Sequence, residues 1–186
     1  MQLKFDFLHD QKPTLMVGLG NIGDEYKNTR HNAGFLFVDH FVKIAKQHGY
    51  ESLEQEQRHF TKIFFPDLNL FIIKPKTLMN LSGLAVKRFI NFSRNIEAMI
   101  VIHDDLDLDI GEYKFQFGKG PKTHNGINSI IEELKSTYFH RIRIGIENRK
   151  GIPIPGLDYV LYEFSPDELT QLEILFDLII KKHFVI

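Results

Sequence analysis

Two side chains that lie far apart in the sequence, His31 and Asp104, are of the types that general-base catalysis requires. His31 comes eight residues after the glycine turn G-L-G-N-I-G at residues 18–23, and Asp104 belongs to the run H-D-D-L-D at residues 103–107. An imidazole that a carboxylate holds in one tautomer can take a proton from water. The sequence predicts such water activation if the fold joins the two, whereas an isolated His31 would simply cap the following helix.

The acidic run permits a second interpretation. Asp104, Asp105 and Asp107 together resemble the carboxylate sets that hard divalent cations prefer. The other polar motifs of the chain supply asparagines rather than further metal ligands. We therefore expect no bound metal, and the metal-dependent hydrolase stays open as an alternative.

Asparagines stand beside Gly or Ser in three predicted loops, at Asn21, Asn80 and Asn125. A single asparagine of this kind is usually a turn residue, but three of them indicate recognition of a substrate. A carboxamide both donates and accepts hydrogen bonds, so the set suits peptide and ester groups and can polarise a carbonyl without a metal. Ser82 lacks a G-x-S-x-G motif around it, which argues against a serine nucleophile.

The glycine turn formally matches the dinucleotide-binding pattern G-x-G-x-x-G. That pattern requires a helix that begins at the third glycine and an acidic residue at the end of the next strand. Gly23 is instead followed by the polar segment D-E-Y-K-N-T, and Asp39 falls inside a predicted helix. The turn is therefore weak evidence for a nicotinamide cofactor.

Size and composition indicate one domain. The 186 residues are 43% hydrophobic and 12% aromatic, which is enough for a sizeable core without disulfides. The chain has no cysteine, so it offers no disulfide framework and no thiolate, and this fits a reducing compartment. With neither a signal peptide nor a membrane span in the sequence, we expect a soluble cytoplasmic protein.

The charge is close to neutral but unevenly distributed. A formal net charge of −1 argues against a protein that coats nucleic acid, because many phosphate contacts need a surplus of Lys and Arg. Residues 111–150, however, contain eight basic residues against four acidic ones. This segment could contact phosphate locally, or could be a solvated face with scattered charges.

Hydrophobic patterning predicts strands alternating with helices, which indicates an α/β sandwich around a mixed, mostly parallel sheet. The polar loops that follow the strands should then gather at one edge of that sheet. Ser165 followed by Pro166 marks the start of a last helix, and the Gly/Pro segment before it should be mobile. The predicted strands cover residues 14–19, 60–65, 70–73, 99–102, 113–117 and 139–146, and the predicted helices cover 32–47, 81–93, 125–134 and 166–181.

These motifs, taken together and in this order, resemble the bacterial-type peptidyl-tRNA hydrolase family. The resemblance covers most of the chain, with a family-like core at residues 14–186 and an N-terminal extension at 1–13. It rests on the glycine turn, T-R-H-N at 29–32, M-N-L-S-G at 79–83, H-D-D-L-D-L at 103–108, H-N-G at 124–126 and F-H-R-I-R-I-G-I at 139–146.

The resemblance implies a single-domain, three-layer α/β sandwich with a twisted mixed sheet. It also implies hydrolysis of the ester between a peptide and the 3′-terminal ribose of tRNA, which recycles tRNA after aborted translation. The implied partner is peptidyl-tRNA, through its acceptor stem and nascent peptide. Neither a metal nor an organic cofactor is implied, and we expect a cytoplasmic monomer.

The family's roles transfer to matching positions of this chain. His31 is implied to be the base that activates water, and Asp104 the carboxylate that orients it. The residues implied to bind substrate are Asn21, Tyr26, Met79, Asn80 and Asn125, and those implied to contact tRNA phosphates are Lys114 with Arg141 or Arg143.

Several positions depart from the usual family pattern. Ile22 replaces a common proline, Leu78 a common tyrosine, and Gln116 stands where a second lysine often occurs. The loop at residues 118–123 contains lysines and a proline where glycines are usual. These departures put the loop's tRNA contacts in doubt and could weaken affinity for the tRNA body. A separate alternative is a catalytically idle relative that binds RNA through Lys114, Lys119, Lys122 and Arg143.

Overall fold

A computed structural model describes residues 13–93, 95–118 and 124–184 of the chain. Within those residues the strands are β1 (Thr14–Gly18), β2 (Leu53–Glu56), β3 (Phe60–Phe65), β4 (Leu70–Pro75), β5 (Ala98–Asp109), β6 (Tyr113–Phe117) and β7 (His140–Glu147). The helices are α1 (Ala33–Gln47), α2 (Ser82–Phe92), α3 (Asn125–Leu134), α4 (Gly156–Tyr159) and α5 (Pro166–His183).

All of these strands belong to one sheet with the order β2-β3-β4-β1-β5-β7-β6. The four central strands, β4, β1, β5 and β7, are parallel to their neighbours in that group. On one side of this group, β3 pairs antiparallel with β4, and β2 pairs antiparallel with β3. On the other side, β6 pairs antiparallel with β7. This arrangement confirms the mixed sheet with a mostly parallel core.

Helices cover both faces of the sheet, which confirms the three-layer sandwich. Alternate residues of β1 belong to different cores: Met16 packs with residues of α1 and α5, whereas Leu15 and Val17 pack with residues of α2 and α3. This is the side-chain alternation expected of a central strand that is buried on both faces. In the described residues, no helix has the length and apolar character that a membrane span requires.

The predicted elements are largely confirmed, with three differences. The strand expected at residues 99–102 runs on to Asp109, because β5 keeps pairing with β7 beyond the hydrophobic run, so the acidic residues lie within a strand rather than after it. The exposed, polar β2 and the single-turn α4 were not predicted. The N-terminal extension, apart from residue 13, and the glycine-lysine loop at 119–123 lie outside the described residues.

Close helix contacts fix the segments that carry the polar motifs. A Cβ on Gly34, in the first turn of α1, would collide with backbone atoms of Leu19 and Ile102, so this glycine lets α1 begin against β1 and β5. Likewise, the Gly83 amide donates to Ser129 Oγ at 3.0 Å where α2 crosses α3. The start of α1 is thereby held at the edge of the sheet where β1 ends, and the start of α2 is held against α3.

Candidate active site

His31 and Asp104 meet at this edge, as the sequence predicted. His31 lies in a 3₁₀ turn, Arg30–Asn32, that leads into α1, and its amide donates to the carbonyl of Val160 at 2.8 Å. The His31 Nδ1 is 2.9 Å from Asp104 Oδ1 and 3.0 Å from Oδ2. Since the carboxylate can only accept, Nδ1 carries the proton, and the unprotonated Nε2 is left to act as a base.

A second histidine, His124, contacts the same carboxylate and was not predicted as a site residue. Its Nδ1 accepts hydrogen bonds from the amides of Gly126 at 3.1 Å and Ile127 at 3.3 Å, so it caps the N-terminus of α3. The proton must therefore be on Nε2, which donates to Asp104 Oδ1 at 3.0 Å. The signal that could have found this residue is its position directly before the start of α3.

A third histidine lies behind this pair. His103 is fully buried, and its ring centroid is 4.7 Å from that of His124. Its Nδ1 donates to the main-chain carbonyl of Asp104 at 2.7 Å. Burial, followed by the neighbouring His124, lowers the pKa of His103 well below the ordinary value, so this ring is neutral and supports the strand rather than carrying charge.

The charges in the site favour an ionised Asp104 and a basic His31. Burial alone would lower the pKa of His31, but the charge of Asp104 and its hydrogen bond outweigh burial and raise it. Burial would raise the pKa of Asp104, yet His31 and His124 together hold it well below its usual range. His31 thus keeps a high affinity for a proton beside a carboxylate that stays charged.

The histidine–aspartate group opens into a cleft of about 430 Å³. Asn125 lies at the rim of this cleft and is exposed, in keeping with a substrate-binding role. The other walls are partly apolar, with Leu106 from β5 and Leu157 and Val160 from the α4 region. The cleft therefore combines a base, an amide and an apolar wall, and these groups suit a substrate with an ester and peptide groups.

The structure does not bring every predicted binding residue into the lining of this cleft. Asn21 lines a neighbouring groove of about 540 Å³ together with Asn32. Asn32 was not predicted, but its Oδ1 accepts from the Asn21 amide at 2.7 Å and its Nδ2 donates to the Asn21 carbonyl at 3.0 Å. Asn32 thus fixes the glycine turn to the His31 segment.

The remaining predicted substrate residues, Asn80, Met79 and Tyr26, line neither of these two openings. Asn80 is exposed in the 3₁₀ turn Met79–Leu81, where it is free to contact a ligand. Met79 is buried near Gly126 at the start of α3, so its position indicates packing rather than an open contact surface. Tyr26 is half-buried in a 3₁₀ turn, Asp24–Tyr26, beyond the glycine turn.

The three predicted phosphate contacts differ strongly from one another. Arg143 donates to Asp105 and, at 2.8 Å, to Gln116 Oε1, so its charge is already paired. Lys114 is exposed and pairs in register with Arg143 across β6 and β7. Arg141 is 0% exposed, and no guanidinium nitrogen has a hydrogen-bond partner among the described residues. Burial lowers its pKa, with the charge of Arg143 as a second cause.

The carboxylates of the acidic run do not form a shared metal site. Asp104 accepts from two histidines and Asp105 accepts from Arg143, whereas Asp107 is exposed and 4.0 Å from the Arg143 guanidinium. The ligand atoms of His31, Asp104 and His124 lie within 4.8 Å of one another. His124, however, has its Nδ1 occupied by two amides and its Nε2 protonated, so the set is satisfied by hydrogen bonds.

Comparisons with known proteins agree on one family. Residues 15–184 match the family model described as peptidyl-tRNA hydrolase. The chain is 40% identical over 164 residues to a peptidyl-tRNA hydrolase of Mycoplasma mycoides, with 86% of this chain and 84% of the relative covered. It is 39% identical over 170 residues to one of Geotalea daltonii, with 88% and 84% covered.

A solved structure gives the same result. The peptidyl-tRNA hydrolase of Acinetobacter baumannii superimposes with a TM-score of 0.74 at 31% identity, over 88% of this chain and 83% of the other. With a family model that spans nearly the whole chain, similar relatives from distant bacteria and a shared fold, this chain belongs to the peptidyl-tRNA hydrolase family.

Proposed function

We propose that this protein hydrolyses the ester that joins a peptide to the 3′-terminal ribose of tRNA, releasing free peptide and free tRNA. The observation that carries the proposal is the His31–Asp104 pair, which opens into a cleft with an amide at its rim. Membership of the family supplies the substrate class. The proposed catalytic unit is the single domain at residues 14–186, and the extension before it has no assigned role.

The chemistry follows from the proton positions. His31 Nε2 takes a proton from a water molecule, and the resulting hydroxide adds to the ester carbonyl. Asp104 stabilises the imidazolium that forms and holds its orientation. Collapse of the tetrahedral intermediate breaks the bond to the ribose 3′ oxygen, which receives the proton from His31. The peptide leaves as a carboxylic acid, so every atom and proton is accounted for without a cofactor.

The asparagines are proposed to recognise the peptide part of the substrate. Asn125, which lines the cleft, would donate to the developing oxyanion or to the last peptide carbonyl. Asn21 and Asn80, with Tyr26 and Met79 nearby, would bind the preceding peptide groups. A free aminoacyl-tRNA has an amine in place of the first peptide bond, so it leaves such amides unpaired and is disfavoured.

The basic residues of β6 and β7 are proposed to bind the tRNA acceptor stem. Of the two arginines, Arg141 is the better candidate because Asp105 already neutralises Arg143. Its guanidinium contacts the Phe139 ring at 4.5 Å but has no hydrogen-bond partner among the described residues, and a phosphate oxygen would satisfy it once the side chain becomes exposed. Lys114, exposed on the same strand pair, would add a second cation. The reaction is proposed to serve ribosome rescue in the cytoplasm, with the protein acting as a monomer.

The test is release of tRNA from N-acetyl-aminoacyl-tRNA in the presence of EDTA, with unblocked aminoacyl-tRNA as the comparison substrate. His31→Ala should lower kcat by about 10²- to 10⁴-fold. The matched control is His40→Ala, because His40 also pairs with a carboxylate, Asp177, at 2.7 Å but lies away from the cleft. His40→Ala should keep the wild-type rate.

The same experiment separates the alternatives. Salt-sensitive RNA binding without cleavage by the folded wild type would support the idle relative. Cleavage that EDTA abolishes and Mg²⁺ or Mn²⁺ restores would support the metal-dependent hydrolase. Wild-type activity in His31→Ala would contradict the proposed mechanism.

A further inference from the structure

A small cleft between the start of β3 and the end of α2 is lined by basic and aromatic residues and is separate from the site around His31. Its volume is about 220 Å³. Its cations are Arg58, Lys62 and Arg88, Phe92 lines it with them, and no acidic residue of the described chain does so. We call these four residues the basic face. On a protein of formal net charge −1, such a local excess of positive charge requires an explanation.

The pairing of β2 with β3 explains why this charge is not neutralised. Lys62 lies opposite Gln55, whereas Glu54 and Glu56 lie opposite Ile63 and Thr61. Side chains alternate between faces along a strand, so both glutamates project from the other face of the sheet. There Glu56 accepts from Lys76 at 2.8 Å and from Thr61 at 2.7 Å. None of the three cations of the basic face has an ion-pair partner in the described part of the chain.

The aromatic ring of this face is strongly exposed. Phe92 is 78% exposed, although it follows on the same helix from Phe89, which is buried against Phe60 with 5.7 Å between ring centroids. The packed Phe89 anchors this end of α2, so Phe92 is held outward on a fixed backbone. An exposed aromatic ring among unpaired arginines is the combination that binds RNA, because bases stack on the ring and phosphates pair with the cations.

The basic face is also connected to the catalytic edge of the sheet. β3 is antiparallel to β4, so the residues just before Phe60 lie level with Pro75, and the Lys76 amide donates to the His59 carbonyl at 2.8 Å. The chain then passes through Asn80 into α2. At 1.5 Å per residue, the backbone of Phe92 lies about 15 Å along α2 from Ser82, the first residue of the helix.

Strand register relates the basic face to Arg141. Lys62 on β3 pairs with Ile73 on β4, which pairs with Val17 on β1. Val17 in turn pairs with Val101 on β5, and Val101 pairs with Arg141 on β7. Paired residues project from the same face, so Lys62 and Arg141 are on the same side of the sheet. They are four strands apart, which is about 19 Å at 4.7–4.9 Å per strand. Helices α2 and α3 pack on this side of the sheet, so a polyanion bound to the basic face would pass over them to reach the basic residues of β6 and β7.

We propose that the basic face is a second tRNA-binding surface, which pairs with phosphates of the tRNA body and stacks an exposed base on Phe92. This inference rests on the proposed function, since it assigns an additional contact to the same substrate. It predicts that the face contributes to binding of whole tRNA and does not affect cleavage of the ester itself.

The experiment compares wild type with Arg58→Gln/Arg88→Gln and with Phe92→Ala. The matched control is Lys43→Gln/Lys46→Gln, which removes two exposed charges from α1 on the opposite side of the sheet. Binding of deacylated tRNA is measured as a function of salt, and KM and kcat are measured for N-acetyl-aminoacyl-tRNA and for the same ester on a CCA trinucleotide. Vesicles of anionic lipid serve as a competing polyanion.

For the double variant we expect about tenfold weaker tRNA binding, and a slope of log K against log salt that is shallower by about 2. KM should rise for the whole tRNA substrate only, with kcat and the trinucleotide rate unchanged. Unchanged tRNA affinity and slope, or loss of vesicle binding alone, would overturn the proposal, as would equal losses on both substrates. A failure of the hydrolytic function would be visible separately, as absence of cleavage by wild type.

Discussion

His124 donates its Nε2 proton to Oδ1 of Asp104 at 3.0 Å, the oxygen that also lies 2.9 Å from His31 Nδ1. Because the other nitrogen of His124 caps α3, the position of the Asp104 carboxylate depends on the start of that helix. Asn125 is the first residue of the same helix. A single capping interaction therefore holds both the charged pair and the amide at the rim of the cleft.

This double role of His124 can be separated by two substitutions. In His124→Asn the shorter side chain can still cap α3 but cannot reach Asp104, whereas His124→Ala loses both contacts. We expect both variants to lose about tenfold or more in kcat, because a hydrogen bond to a charged group contributes roughly 1.5–3 kcal/mol. His124→Ala should in addition be about 1 kcal/mol less stable than His124→Asn in urea denaturation. A wild-type kcat in His124→Asn would show that this hydrogen bond does not support catalysis.

The raised pKa of His31 predicts the direction of the pH dependence. The base must be unprotonated to act, so kcat/KM should fall as the pH drops through the pKa of His31, which lies above the ordinary value of 6.5. In Asp104→Asn the raising influence is removed and burial remains, so the acid limb of the residual activity should move below 6.5. The measurement is kcat/KM against pH, together with NMR titration of the His31 ring. An acid limb that stays in place in Asp104→Asn would exclude Asp104 as the cause.

The sequence predicts much of this site because its chemistry is concentrated in short polar motifs. The types of His31 and Asp104, and their positions beside a glycine turn and a buried strand, predict an imidazole held by a carboxylate, and the structure brings the two within 2.9 Å of each other. Local signals also located the last helix, where Ser165 and Glu168 form a capping box. These features depend on neighbours in sequence, so they can be inferred without a structure.

Features that depend on partners distant in sequence were missed. β5 continues through its acidic residues because β7 supplies main-chain partners for them, and no hydrophobic run marks this continuation. The role of His124 depends on a carboxylate twenty residues away in sequence. The difference between Arg141 and Arg143 is likewise set by Asp105 on another strand. Such pairings become visible only when the register of the sheet is known.

The different environments of the two arginines predict opposite effects of substitution. Arg141→Met should raise KM for tRNA that carries a 5′ phosphate, by about tenfold. It should leave stability unchanged or raised, because it removes a buried charge that has no hydrogen-bond partner among the described residues and keeps an apolar side chain against the Phe139 ring. Arg143→Met should instead lower the unfolding free energy by about 3–5 kcal/mol, because it leaves the buried Asp105 without its partner. The measurements are KM with and without the 5′ phosphate, and urea denaturation. A loss of stability in Arg141→Met with no change in KM would contradict the assignment.

Arg30, the residue before His31, forms a buried ion pair whose loss should lower stability and affect the neighbouring site. Its Nη2 lies 2.9 Å and 3.0 Å from the two carboxylate oxygens of Glu168, and its guanidinium carbon lies 4.4 Å from the centre of the Tyr159 ring. Glu168→Gln should lower the unfolding free energy by about 3 kcal/mol, because it leaves a buried cation without its charge partner. This corresponds to about 6–12 °C in Tm for a domain of this size.

The double variant Arg30→Met/Glu168→Gln distinguishes the ion pair from the space that its side chains fill. It should be less destabilised than the sum of the single variants, because no unpaired charge remains. The control is Lys74→Met, which breaks the more exposed ion pair with Asp39 and should cost at most about 1 kcal/mol. Since His31 follows Arg30 directly, the single variants should also lower kcat. Additive losses of unfolding free energy in the double-variant cycle would show that the two residues act independently.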